Sequence, residues 1–565
     1  MQVKTKTKDK KPHNNPFRKR FFIIFGLIIG TTCVLIVSSF RLQYLEREFY
    51  NQKADNRHIK VEKMVSNRGS IFDRRGTPLA VSTPVDSVVI NPQEYLKDKE
   101  KLFLLSRILS SDSKEILKKI EKKSNKSFMY LRRHISQDQS KEIDQLGDIK
   151  GLWLEKEYKR YFPAGEVTGH LIGFTNIDDH GQEGMELLLE DFLVGEDGSK
   201  LVLKDRFGNL ISDIELIKNS VDGEDFYLSI DLRIQYLAHR ALQKGITEFK
   251  AKAGSAVVLD VLTGEVLAMV NQPSADPNTL ALREESEFFR NRSVTDRFEP
   301  GSTFKTLTVA AALEHGIFST EKLIDTSPFS LGKYSIGNDN RCGSQQVNLE
   351  TILVNSCNAG AARVAKEMEQ KQFCEILMKL GFGEVTASGF PGEDDGKLGC
   401  FNDWRPTKVA TVSYGYGVSV TPLQLAKAYA AIANKGVVNE ISLEKIQDNP
   451  KGSRALSEVT ANTLLMMLEA VVEHSVSRAK VKGYRVGGKT GTAQISSNAY
   501  SSGSYNAFFV GIAPISNPRI VTVVVVNEPQ GQRYYGGQVA APIFSSIVSG
   551  ALRIMGIAPD GSAKS

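Results

Sequence analysis

The hydrophobic positions of this chain fall into distinct patterns along its length. From Phe21 to Phe40 they form an uncharged run of 20 residues, long enough to cross the hydrocarbon core of a bilayer as a helix. Arg41-Leu42-Gln43-Tyr44-Leu45-Glu46-Arg47-Glu48 continues that helix in more polar form, to about residue 57. Between about 58 and 220, short alternating runs such as Ser87-Val88-Val89-Ile90 mix with charged helical stretches such as Lys114 to Lys123. That mixture predicts an α+β region with no catalytic constellation of its own. Val221-Asp222-Gly223-Glu224-Asp225 marks a boundary. After it, Asp231 caps a helix expected through about Phe249. Ser255 to Asp260 and Val266 to Val270 are β-branched runs across a turn containing Gly264, a hairpin pattern. The Ala- and Leu-rich run after Ser302 predicts a buried helix that stops at Gly316. Thr421-Pro422 opens another, with Leu425, Ala428, Tyr429 and Ile432 on one face. Phe508 to Ile512 and Ile520 to Val526 predict strands able to pair with the one carrying Lys489.

Charge sharpens the reading of the N-terminus. Residues 1–20 carry Lys4, Lys6, Lys8, Lys10, Lys11, Arg18, Lys19 and Arg20 against Asp9, an excess of seven that equals the +7 of the whole chain. The remainder is balanced, so a nucleic-acid reading loses its support. Basic residues ahead of the apolar run place the N-terminus inside and everything after Arg41 outside. A cleaved signal peptide would end in an A-x-A-like site, of which Val37-Ser38-Ser39 is a poor version, so an uncleaved anchor is expected. At 565 residues the chain should hold two or more domains beyond the anchor. Cys33 lies in the anchor. Cys342, Cys357, Cys374 and Cys400 fall in the last domain, where an oxidising compartment permits pairing in any of three connectivities. The eight histidines are scattered and no CxxC or HExxH pattern occurs, so no metal site is expected. His170 reads as a packing or hydrogen-bonding residue.

The chemistry-bearing segment is Phe298-Glu299-Pro300-Gly301-Ser302-Thr303-Phe304-Lys305. Pro300-Gly301 breaks the chain and puts Ser302 at a helix start, where unpaired N–H groups and the helix dipole favour an alkoxide or oxyanion. Lys305, three residues on, lies within reach of the Ser302 hydroxyl. The same spacing occurs at Ser111/Lys114, Ser319/Lys322, Ser330/Lys333, Ser442/Lys445 and Ser477/Lys480, which read as solvated side chains. Ser302 is set apart by its flanks and by two motifs downstream, Ser356-Cys357-Asn358 and Lys489-Thr490-Gly491-Thr492. Ser-x-Asn alone is weak, since Ser496-Ser497-Asn498 also satisfies it. Ser-x-x-Lys, Ser-x-Asn and Lys-Thr-Gly in this order are the signature of penicillin-binding proteins and serine β-lactamases.

From about Arg68 to about Ala551 the chain resembles the class B penicillin-binding proteins, and among them the division-specific peptidoglycan D,D-transpeptidases of the FtsI type. The markers are Arg68-Gly69-Ser70-Ile71-Phe72-Asp73-Arg74-Arg75-Gly76, Tyr161-Phe162-Pro163-Ala164-Gly165 running on to Phe174, Gly254-Ser255-Ala256-Val257-Val258-Leu259-Asp260, and Tyr414-Gly415-Tyr416-Gly417 leading to Thr421-Pro422. Cys357 departs from many relatives, which carry serine there. The resemblance implies a membrane-anchored α+β protein: a basic cytoplasmic tail over 1–20, a transmembrane helix over 21–40, a juxtamembrane segment over 41–57, a pedestal over 58–220, a transpeptidase domain over 221–556 and a polar tail over 557–565. It implies that the last domain is built on an antiparallel sheet of about five strands with helices on both sides. For the site it implies Ser302 as nucleophile, Lys305 as general base with its pKa lowered by burial and by Lys489, and Ser356 and Lys489 as proton relay. Asn358, Thr490, Gly491 and Thr492 would bind the peptide, and the N–H groups of Ser302 and Thr492 would form the oxyanion hole. Gly491 would permit close approach. One amide is exchanged for another, so no cofactor is expected. The implied partners are D-alanyl-D-alanine stem peptides, β-lactams, a membrane glycosyltransferase of the FtsW type and other divisome proteins.

Three alternatives share some of these features. A β-lactamase is normally a compact secreted domain, which the anchor and pedestal oppose. A D,D-carboxypeptidase would use water as acceptor. A sensor would need a cytoplasmic domain that twenty polar residues cannot supply, although a divisome scaffold would survive that objection.

Overall fold

The computed structural model describes residues 16–50, 59–97, 99, 101–204, 210–279, 286–339, 341–400, 404–448, 450–495 and 504–561. Most of the expected basic tail, residues 51–57, the Ser496–Asn498 triplet and the last four residues lie outside them. Helix α1, Pro16–Phe40, begins ahead of the uncharged run and continues into one wide turn at Arg41–Leu45. Its apolar side chains point outward on every side. The segment Lys19–Leu45 is long and apolar enough to cross a membrane. Thr31 and Thr32 satisfy their hydroxyls on carbonyls one turn back, at 2.9 and 2.8 Å.

The α+β region is built on β1 (Ile59–Met64), β2 (Pro78–Ile90), β3 (Met129–Ile135), β4 (Leu152–Tyr161), β5 (Gly198–Lys204) and β6 (Leu210–Lys218). β2 pairs with β3 and, over ten residues, with β4, while β5 lies between β1 and β6. Arg68, the first residue of one sequence marker, lies in a buried charge cluster. Arg68 and Arg160 donate to opposite oxygens of the fully buried Glu186 at 2.9 and 2.6 Å, and Arg68 reaches Glu190 at 2.8 Å. Removing one partner would strand the others in low dielectric, at about 3–5 kcal/mol. Ile71–Phe72 pairs antiparallel with β2 and parallel with Phe226–Tyr227, so this sheet continues past Val221.

The last domain is organised by β7 (Ala253–Asp260), β8 (Val266–Gln272), β9 (Gly487–Gln494), β10 (Tyr505–Ala513) and β11 (Ile520–Asn527). They form one antiparallel sheet in the order β8-β7-β11-β10-β9, with β9 at an edge. β7, β8 and β11 are buried on both faces. Helices α2 (Leu232–Glu248, capped by Asp231) and α8 (Gly536–Ile554) lie against the sheet, as do α6 (Pro422–Ala433) and α7 (Glu458–Ser475). Between β8 and β9 the chain also forms α3 (Phe304–Glu314), α4 (Leu349–Asn355) and α5 (Asn358–Glu367). α6 is buried around its whole circumference, not on one face, because it packs at once on β7, β11 and α7. Cys342 pairs with Cys357 and Cys374 with Cys400, one of the three connectivities left open.

The segment Tyr161–Phe174 sits on the end of β8. Asn278 exchanges hydrogen bonds with the Phe162 backbone at 3.1 and 2.9 Å, and Gln235 of α2 donates to the Val167 carbonyl at 2.9 Å. His170 and His239 are buried in this junction, His239 on Ser274 at 3.1 Å. Burial, aided by the Arg292 charge, pushes the His170 imidazole down to about 3, and burial also lowers His239. Both histidines are therefore neutral when folded and protonate more readily when released. Stability from them is present above the unfolded value of about 6.5 and is lost as pH falls toward the folded values. Urea denaturation should show roughly 2 kcal/mol of stability lost between about pH 7 and 5 at His170 alone. His170→Asn should flatten that slope, and an unchanged slope would remove His170 from the account.

Candidate active site

Gly301, at φ +48°, turns the chain into a short 3-10 turn, Gly301–Thr303, that runs straight into α3. The stretch from Gly415 to Val420 holds this turn. Phe298 and Val420 exchange both backbone hydrogen bonds at 3.0 Å, Gly301 N–H donates to the Gly415 carbonyl at 3.1 Å, and Gly417 N–H donates to Glu299 at 2.8 Å. A Cβ on Gly415 would lie 2.1 Å from the Gly301 carbonyl oxygen, so only glycine fits there. Tyr429 of α6 anchors the other side by donating to the Thr303 carbonyl at 2.8 Å.

Ser302 is half-buried, whereas Lys305, one turn along, is fully buried. Lys305 Nζ lies 3.0 Å from Ser302 Oγ, 2.6 Å from the Ser356 carbonyl oxygen and 3.0 Å from Ser356 Oγ. Lys489 Nζ donates to the same Ser356 Oγ at 3.2 Å. Ser356 joins α4 to α5 in a left-handed conformation, φ 58° and ψ 44°. That costs roughly 1–2 kcal/mol for a non-glycine residue, and it turns both its oxygens toward Lys305. Residues from α3, the α4–α5 corner and β9 thus form one hydrogen-bonded chain, Ser302–Lys305–Ser356–Lys489.

The electrostatics of this chain follow from burial. Desolvation holds the Lys305 amine well below its ordinary value, and the nearby Lys489 charge lowers it further. Lys489 is pushed down to about 7, by burial first and then by Arg341, with Asp339 opposing. A neutral amine has two N–H donors and one lone pair. On Lys305 the donors meet the two Ser356 oxygens, which leaves the lone pair facing the Ser302 hydroxyl. The five other lysines with the same spacing, Lys114, Lys322, Lys333, Lys445 and Lys480, are all exposed.

Asn358 starts α5, and its half-buried amide has no hydrogen-bond partner among the described residues. Thr490 and Thr492 lie on the edge strand β9. Thr492 Oγ1 accepts from Gly536 N–H at 3.0 Å, so its own proton is free to donate. The Thr492 carbonyl oxygen would be 3.4 Å from a Cβ on Gly301, so Thr492 turns its backbone toward the serine turn. The structure gives Gly491 another reason than room for a ligand: a Cβ there would lie 1.8 Å from the Phe508 ring, which also packs beneath Gly301. Cys357, the departure in the second motif, is bonded to Cys342.

Sequence reasoning did not single out Phe508, Glu299, Asp339 or Arg341 as part of this site. The glycines of Tyr414-Gly415-Tyr416-Gly417 carried a signal, since two glycines spaced by one residue call for close backbone approach, but their partner Gly301 lies over a hundred residues away.

Two family profiles match. The penicillin binding protein transpeptidase domain covers residues 254–549 and the penicillin-binding protein dimerisation domain covers residues 63–228. The peptidoglycan D,D-transpeptidase FtsI of Escherichia coli K12 is 36% identical over 563 residues, 98% of this chain and 95% of its own. The probable peptidoglycan D,D-transpeptidase PenA of Neisseria gonorrhoeae is 37% identical over 557 residues, 97% of this chain and 95% of its own. Among solved structures, the transpeptidase domain of Burkholderia pseudomallei penicillin-binding protein 3 is 40% identical with a TM-score of 0.54, covering 59% of this chain and 98% of that one. Penicillin-binding protein 3 of Mycobacterium tuberculosis, complexed with aztreonam, is 25% identical with a TM-score of 0.69, covering 88% of this chain and 98% of that one. The serine–lysine chain, the sheet whose edge it lies on and the match over nearly the full length agree: this chain belongs to the penicillin-binding protein transpeptidase family.

Proposed function

We propose that this protein is a serine-type peptidoglycan D,D-transpeptidase that crosslinks stem peptides during septum formation and is covalently blocked by β-lactams. The observation that carries the reading is the fully buried Lys305 amine 3.0 Å from Ser302 Oγ. Ser302 attacks the carbonyl of the penultimate D-alanine while Lys305 takes its proton. The N–H groups of Ser302 and Thr492 hold the oxyanion. Ser356, bridging both lysines, passes a proton to the departing amine, and the last D-alanine leaves. The amine of a neighbouring stem peptide then attacks the acyl-serine, returning Ser302 its proton and closing the crosslink. Asn358 orients the bound peptide, while the Thr490 and Thr492 hydroxyls and the free edge of β9 bind its carboxylate end. A β-lactam follows the first half of this path: its ring C–N bond opens, the nitrogen takes the proton, and the acyl group stays on Ser302.

The anchor supports a single-pass protein with its N-terminus inside and residues beyond Arg41 outside, by the charge asymmetry across it. Septal placement, an FtsW-type glycosyltransferase partner and other divisome contacts follow from likeness to FtsI proteins. Water as acceptor would make the protein a carboxypeptidase, and product analysis separates the two.

Intact-mass spectrometry of the purified protein with benzylpenicillin should show one adduct, absent from Ser302→Ala. A well-folded wild-type protein that takes up no adduct would leave only a scaffold role. Lys305→Arg keeps the charge but loses the lone pair, and acylation should fall at least about a hundredfold. The pair Lys305 and Lys489 should give a bell-shaped rate profile. Its acid limb reports a second proton on the pair and its alkaline limb loss of the shared one, above about 7. A flat profile across neutral pH would exclude Lys305 as the base. Gly491→Ala must displace the Phe508 ring and should slow acylation about tenfold or more without removing Ser302 reactivity.

A further inference from the structure

Where the two domains meet, three short chain segments lie side by side. Ile71–Phe72 pairs in parallel with Phe226–Tyr227, and Leu228 N–H donates to the Phe72 carbonyl at 2.8 Å. On its other side Leu228 faces Glu444 in an antiparallel bridge, held by Lys445 N–H on the Tyr227 carbonyl at 3.0 Å and Ser229 N–H on the Leu443 carbonyl at 2.8 Å. One position along from that bridge, Tyr227 lies across from Lys445. Ser442 in turn bridges to Glu265, just ahead of β8, and accepts from Val266 N–H at 2.9 Å. Side chains directly opposite each other project to the same face, so Phe72, Tyr227 and Lys445 form one row across the three segments. The Phe72 and Tyr227 rings stack, with centroids 5.1 Å apart and planes inclined by 20°, and Tyr227 is 47% exposed. Here a cleft of about 450 Å³ opens, lined by Asp225, Phe226, Tyr227, Glu444, Lys445 and Gln447.

We propose that this cleft binds an N-acetylated sugar ring of a glycan strand, and so holds the protein on the polymer whose stem peptides it crosslinks. The inference rests on the transpeptidase reading above, which names the polymer.

The lining matches the two-sided chemistry of a sugar ring, which carries C–H groups on its faces and hydroxyls around its rim. The C–H groups suit the negative face of an aromatic ring, and the stacked Phe72–Tyr227 pair holds one such ring rigidly in the open. The hydroxyls and the acetamido group need donors and acceptors together. Lys445 and Gln447 supply donors, and Glu444 and Asp225 supply acceptors. Ser70 N–H fixes Asp225 by donating to one carboxylate oxygen at 2.7 Å. Among the described residues the side chains of Tyr227, Glu444, Lys445 and Gln447 make no hydrogen bond or ion pair of their own, so they are available to a ligand. A protein partner fits less well: the apolar lining is two rings, whereas a stable protein interface buries about 800 Å² on each side. A small ligand fits, since such clefts run from about 300 to 1,000 Å³. The cleft is also separate from the acylation site. From β9 through β10, β11, β7, β8 and residues 442–445 to Tyr227 there are six strand steps, roughly 29 Å at about 4.8 Å each. Blocking Ser302 therefore leaves the cleft open.

The test titrates the full chain in detergent micelles with chitotetraose, an oligomer of N-acetylglucosamine, and with glycan strands stripped of peptide by an amidase, reading binding by calorimetry. Saturable binding should survive prior acylation by benzylpenicillin. Tyr227→Ala should weaken it at least about tenfold, and Tyr227→Phe, which keeps the ring, should restore it. Lys445→Ala, at an exposed position, should weaken it about threefold or more. No saturable binding of either probe overturns the proposal. So does binding that benzylpenicillin abolishes, which would put the sugar at Ser302. Unchanged affinity in Lys445→Ala overturns it even if Tyr227→Ala fails to fold. A wild-type chain that takes up no penicillin would instead overturn the transpeptidase reading, while the sugar titration would still report on the cleft, so the two failures are distinguishable.

Discussion

Two lysine side chains end in one enclosed site with the Ser356 hydroxyl between them and, among the described residues, no carboxylate in contact. Burying one ammonium without a partner is costly, and burying two is costlier still, because each repels the other at low dielectric. The molecule relieves this by releasing protons from the pair, and a neutral Lys305 amine is what the proposed mechanism requires beside Ser302. The enclosure is therefore what lowers the affinity of the lysines for protons, and the fold around it keeps the site closed and aligned. Lys305 arrives on the first turn of α3, Ser356 at the corner between α4 and α5, and Lys489 on β9. Displacing any one of these elements would let water in and return the lysines to their ordinary, protonated state.

The packing around the site shows how that alignment is held. The nucleophile turn is clamped from three directions by main-chain pairing with residues 415–420, by Tyr429 of α6 and by the Phe508 ring. Phe508 also fills the space that the missing side chain of Gly491 leaves, so one aromatic ring fixes the distance between the serine turn and the edge strand. β10, which carries it, is paired on both sides within the sheet and cannot shift without breaking two ladders. β9 is one of the two edge strands of the sheet, and its outer edge, beside the serine turn, is where an extended peptide could add.

Outside this domain the chain has an apolar core of its own, around Val88, Ile90, Tyr95, Leu105 and Ile120, to which polar contacts are added. The Arg68–Glu186–Arg160 cluster and the hydrogen bonds at Phe162 and Val167 join elements far apart in sequence. The bonds from Asn278 and Gln235 to the Phe162 and Val167 backbone are directional and help fix how the region ahead of Tyr227 meets the sheet domain, and the buried His170 and His239 beside them make this junction dependent on protonation state. The apolar helix α1 is exposed along its length among the described residues, and it is long and apolar enough to cross a membrane.

Much of this protein was legible in the chain. An uncharged run of this length reads as an anchor or a leader, alternation and β-branching marked four of the five strands, and glycine, proline and capping residues marked the helix starts at Asp231, Ser302 and Thr421, because these properties are local. The three motifs could be read because their order is fixed along the chain and their residue types limit the chemistry. What stayed hidden depends on which distant segments touch. Burial separates Lys305 from five lysines with identical spacing, and burial is a property of the packed molecule. The pairing of four cysteines, the contact of Gly415 with Gly301, the ring beneath Gly491 and the placing of Asp339 and Arg341 beside the lysines all join residues tens to hundreds of positions apart. The sequence determined which groups could react. Only the tertiary structure decided their protonation, because pKa values respond to desolvation and to charges brought close by folding, which no local pattern encodes.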